Sequence, residues 1–122
     1  MKLAFIGAGR VVTWQLKELQ NHSKINISGA YDIDPSVQDS LGEYGCYLYP
    51  SLEALLENSP DIIAISTPSK SHFDVLKYLA DKVKSGTIIT IEKPTFLCQN
   101  QFEEAISLSK KNNLRIFPIF HR

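Results

Sequence analysis

An excess of charge of either sign, a cysteine framework and long hydrophobic runs are what this 122-residue sequence lacks. Thirteen Lys plus Arg stand against thirteen Asp plus Glu, a formal net charge of zero. The broad positive field that draws proteins onto nucleic-acid backbones is missing, so no nucleic-acid partner is expected. Strongly apolar runs end after a few residues, as at Ile62–Ile65, whereas a membrane-spanning helix needs about 20. The opening stretch from Met1 to Ile6 breaks at Gly7 and Arg10 and does not read as a signal peptide. A cytoplasmic location without a membrane partner is the expectation. Cys46 and Cys98 form no CxxC pair and have no histidine at ligand spacing, so they read as reduced thiols, and no metal site is expected.

What is present suits a single globular domain over residues 1–122: 43% hydrophobic and 21% charged residues, enough for a core and a solvated surface. Short β-like runs alternate with amphipathic segments throughout. Lys2–Ile6, Ile25–Tyr31, Cys46–Leu48, Ile62–Ser66, Thr87–Ile91 and Leu114–Pro118 read as strands, several of them apolar on consecutive residues as in a sheet buried on both faces. Between them, Val12, Leu16 and Leu19 fall on one helical stripe, as do Phe73, Leu76, Ala80 and Val83. Phe102, Ala105 and Ile106 mark a last helix. Asp34-Pro35 and Ser51 read as starts of shorter helical pieces. Six strands alternating with about five helices predict an α/β fold: a Rossmann-type doubly wound parallel sheet of order 3-2-1-4-5-6.

Gly7-Ala8-Gly9-Arg10-Val11-Val12 lies between the first strand and the first helix, the context in which a glycine-rich loop cradles phosphate. Gly7 allows the tight turn, Gly9 lets the backbone approach a pyrophosphate, and the amides at the helix start, including those of Arg10 and Val11, present partial positive charge. Val12 replaces the usual third glycine or alanine, which predicts a helix set slightly off the sheet. Asp32 closes the second strand where a carboxylate accepts from the adenosine ribose hydroxyls and repels a 2′-phosphate, so NAD is expected ahead of NADP. Asp34 competes for that role, but its place before Pro35 fits a helix cap better.

Thr67-Pro68-Ser69-Lys70-Ser71-His72 follows the fourth strand and Glu92-Lys93-Pro94 the fifth. With Gly7-x-Gly9 and Asp32, these segments resemble the N-terminal half of the Gfo/Idh/MocA oxidoreductases, end to end. The resemblance implies an NAD(P)-binding Rossmann domain and, in complete members, a C-terminal substrate domain, absent from this chain, that carries further acid–base groups. It implies hydride transfer between nicotinamide and a carbinol or carbonyl of a sugar, polyol or sugar nucleotide. Thr67 and Pro68 would shape the loop beside the cofactor and His72 would start the next helix. Glu92 and Lys93 would lie near the nicotinamide ribose and substrate, with Lys93 the catalytic candidate. Read without the family, Thr67, Ser69 and Ser71 serve equally well as helix-capping hydroxyls, and His72 as a structural histidine. A free-standing nucleotide-binding or interaction module without catalysis is the alternative function. The single-domain length favours that alternative, whereas Lys93 and His72 favour chemistry. Leu114, Ile116, Phe117, Ile119 and Phe120 make the final strand region unusually apolar for a sheet edge, which predicts a homo-oligomer, a dimer through that region.

Overall fold

The computed structural model describes residues 1–19, 22, 24–93 and 95–119, without the side chains of Arg10, Val11, Ser40 and Ile119. Five strands, β1 (Lys2–Ile6), β2 (Asn26–Tyr31), β3 (Ile62–Ile65), β4 (Ile88–Glu92) and β5 (Arg115–Ile119), form one sheet of order β2-β1-β3-β4-β5. Every pairing is parallel. The helices are α1 (Arg10–Leu19), α2 (Gln38–Gly42), α3 (Leu52–Glu57), α4 (His72–Ala80) and α5 (Gln99–Asn112), with 3-10 turns at Pro35–Val37 and Ser69–Ser71.

Strand alternation sends successive side chains to opposite faces. Leu3, Phe5 and Ala64 pack with Val12 and Leu16 of α1 and Leu41 of α2. Ala4, Ile6, Ile63, Ile65, Ile89 and Ile91 pack instead with Leu55 of α3, Leu76 and Leu79 of α4 and Ala105 of α5. Two such layers explain why the central strand β3 is apolar at every position. Val12, the departure from the glycine motif, is fully buried in the first cluster.

The strand expected at Cys46–Leu48 shrinks to a single parallel bridge between Ala30 and Leu48, fixed by Ala30 N to Tyr47 O at 2.8 Å and Tyr49 N to Ala30 O at 2.7 Å. The bridge occupies the place of the expected third strand, so the predicted order is otherwise kept. The ladder stops because β2 bulges opposite Leu3 and Ala4, and the Tyr49 ring crosses its outer edge, where its hydroxyl donates to Ser28 O at 3.2 Å. Only glycine fits this crossing: at Gly29 (φ +150°) a Cβ would stand 2.6 Å from Tyr49 Cε2.

The expected caps form. Asp34 accepts from Ser36 N at 3.0 Å with Pro35 at the first position of its turn, and Ser51 accepts from Ala54 N at 3.1 Å. That backbone hydrogen bond holds the Asp34 carboxyl below its ordinary range.

Candidate functional site

In a parallel sheet the residues that follow the strands gather at its carboxyl edge, and the crevice opens where connections leave in opposite directions. Here that point lies between β1, whose chain continues to β2, and β3, whose chain continues to β4. Gly7, Asp32, Ser66-Thr67 and Lys93 all stand just past strand ends.

Gly7 is required twice over. Its φ is +90°, and a Cβ there would lie 2.7 Å from the carbonyl carbon of Ser66 and 2.8 Å from Thr67 N. The loop after β1 therefore presses directly on the backbone leaving β3. Gly9 differs: a Cβ on this exposed residue would meet nothing within 4 Å. The first helical bonds run from Val12 N and Thr13 N to Gly9 O, so the preceding amides lie outside the helix's own ladder.

Asp32 grips this loop. Its Oδ2 accepts from Ala8 N at 2.8 Å and its Oδ1 from Asp34 N at 2.9 Å. Each carboxylate oxygen keeps a second lone pair, so these bonds leave acceptor capacity for a ligand hydroxyl. Arg10 and Val11 start α1, but their side chains, like Pro94, lie outside the described residues.

Thr67 and exposed Pro68 form the loop after β3. Ser71 Oγ lies 2.7 Å from both Thr67 Oγ1 and the Pro68 carbonyl, which closes the loop upon itself, and no hydroxyl caps α4. His72 opens α4 with its ring only 1% exposed. Its Nε2 lies 2.7 Å from Thr67 O and its Nδ1 3.1 Å from Thr95 O. The imidazole thus joins the loop after β3 to the segment beyond Lys93.

Glu92 ends β4 with 8% exposure, and its Oε1 accepts from Gln15 Nε2 of α1 at 2.9 Å. Lys93 follows on the surface. Ser66 lies one step beyond Ile65, which pairs with Ile91. Its hydroxyl is the one buried side-chain polar atom without a hydrogen-bond partner among the described residues. Sequence reasoning passed over Gln15 and Ser66. The usable signal for Gln15 was its spacing, three residues after Val12 and one before Leu16, which sets a polar side chain beside an apolar stripe.

A loop that leaves room at Gly9, a carboxylate at the end of β2 and an unpaired buried hydroxyl at the crevice together fit a dinucleotide. Among the described residues no group of three His, Cys, Asp or Glu could hold a metal ion, and no helix is long and apolar enough to cross a membrane.

The Gfo/Idh/MocA family model, described as an oxidoreductase family with an NAD-binding Rossmann fold, matches residues 1–120. A search of curated proteins returns no match. Among solved structures, the dehydrogenase MviM from Clostridium difficile superposes with a TM-score of 0.85 at 24% identity, over 97% of this chain and 38% of that one. The WlbA dehydrogenase from Chromobacterium violaceum, in complex with NADH and UDP-GlcNAcA, gives 0.85 at 22%, over 98% and 34%. UDP-N-acetylglucosamine 3-dehydrogenase GnnA from Acidithiobacillus ferrooxidans gives 0.81 at 24%, over 95% and 37%. The chain therefore spans about a third of the length of the structures it resembles.

Proposed function

This chain belongs to the Gfo/Idh/MocA oxidoreductase family, whose NAD-binding Rossmann fold it forms, and we propose that it binds NAD in preference to NADP in the crevice between β1 and β3 and serves hydride transfer to or from a sugar, polyol or sugar nucleotide. The observation that carries this reading is the grip of Asp32 on Ala8 N at 2.8 Å, which sets a carboxylate beside the glycine loop. A ribose with free hydroxyls can donate to that carboxylate; a 2′-phosphate meets it as a like charge.

Bound NAD supplies a nicotinamide ring that accepts or returns a hydride. Gly7 and Gly9 give the backbone its close approach to the pyrophosphate, and the amides of Arg10 and Val11 face its charge. Thr67 and Pro68 wall the cofactor on the β3 side. His72 acts through them, because its ring is spent between Thr67 O and Thr95 O. Glu92 stands toward the nicotinamide ribose. Lys93 hydrogen-bonds the reacting oxygen and helps the hydroxyl proton leave as the carbon gives up hydride. The substrate class draws support from two of the structural neighbours, which are a UDP-N-acetylglucosamine dehydrogenase and a dehydrogenase holding UDP-GlcNAcA. A homodimer through the β5 edge, a cytoplasmic setting and a partnership with a C-terminal substrate domain complete the proposal.

Calorimetric titration of the 122-residue protein tests it. NAD should bind more tightly than NADP; tighter NADP binding would overturn the role given to Asp32.

A further inference from the structure

Helix α1 reaches the cleft at two places. Its first turn follows the glycine loop, and its second carries Gln15, whose amide nitrogen donates to Glu92 at the end of β4. These two places are about 7 Å apart along the axis, at roughly 1.5 Å per residue.

Glu92 is a carboxylate with 8% exposure on the sheet face covered by α1. Buried carboxylates need donors, and a donor also decides which way the carboxylate turns. Gln15 is a neutral donor on a helix held in the core by Val12 and Leu16, both fully buried, so its position is set by packing rather than by solvent. Ser66, one residue past the Ile65–Ile91 pair, has a buried hydroxyl with no hydrogen-bond partner among the described residues.

We propose that Gln15 is a positioning residue for the nicotinamide half of the dinucleotide, orienting Glu92 toward the ribose and tying that contact to the helix that receives the pyrophosphate. This rests on the NAD reading above and adds a residue that neither the glycine motif nor the Glu-Lys-Pro triplet contains. Gln15 touches no ligand itself. Its influence passes through Glu92, so it should act on one half of the cofactor and not the other.

The experiment compares NAD with ADP, which lacks the nicotinamide riboside, by calorimetry on the 122-residue protein and on Gln15→Met. Methionine keeps the length and removes the donor. The expected result is about a tenfold loss of NAD affinity, the scale of one hydrogen bond to a charged group, with ADP affinity unchanged. Gln15→Asn, which keeps the amide but withdraws it by one methylene, should show the same split, and it stands in should the methionine variant fail to fold. Equal losses for NAD and ADP would reduce Gln15 to a fold-holding residue and overturn the proposal. So would unchanged NAD affinity, or an unaltered protein that binds ADP as tightly as NAD. If the unaltered protein binds neither ligand, the NAD reading falls first and this proposal with it.

Discussion

The amide of Ala8 donates to Oδ2 of Asp32 at 2.8 Å, joining the glycine loop after β1 to the end of β2. One carboxylate thereby shapes the loop as well as facing the proposed ribose. Asp32→Ala should weaken NAD, narrow its margin over NADP, and cost about 1–3 kcal/mol of stability through the stranded amide of buried Ala8. Paired NAD and NADP titrations together with denaturant unfolding check both effects. A loss of stability with an intact NAD margin would confine Asp32 to loop architecture.

The two glycines of the loop should respond oppositely to alanine. At Gly7 the new Cβ meets Ser66 backbone at 2.7 Å in a left-handed conformation, so the fold should lose about 2 kcal/mol or more. At Gly9 the new methyl meets only open space, so stability should change by no more than about 0.5 kcal/mol while NAD binding drops. Melting curves beside titrations separate the pair.

Lys93→Met should leave NAD affinity within about twofold, a difference of under 0.5 kcal/mol, because the proposed contact of this lysine is with the reacting oxygen and not with the cofactor. A large loss would reassign Lys93 to cofactor binding.

Burial pushes the Cys46 thiol up from about 9 to about 11, whereas Cys98 is exposed. At pH 8 a disulfide reagent should label one cysteine in the native protein and both after denaturation. Since the unfolded thiol ionises first, the contribution of Cys46 to stability is intact below about pH 9 and is lost as pH rises from there toward 11. Cys46→Ser should remove that alkaline slope.

Phe117 on the edge strand β5 is 51% exposed; Phe120 lies outside the described residues. Light scattering should give a dimer at high micromolar concentration, and Phe117→Lys should dissociate it. A monomeric parent protein would refute this dimer.

Local periodicity and local chemistry determined much of this molecule. Runs such as Ile62–Ile65, the stripe of Val12 and Leu16 and the Asp34-Pro35 and Ser51 caps each act within a few residues, so their roles were legible in the sequence. Asp32 was legible as the residue just past β2, because a strand end is a local event. Contacts across the chain were not. The shrinking of the third strand to one bridge depends on the Tyr49 ring lying over Gly29, a meeting of residues brought together only when β2 bulges. That His72 spans Thr67 O and Thr95 O depends on the parallel stacking of β3 beside β4. The bond from Gln15 to Glu92 likewise depends on which face of the sheet α1 covers. Hydrogen bonds take their partners from whatever packing brings within about 3 Å, so tertiary structure alone chose them.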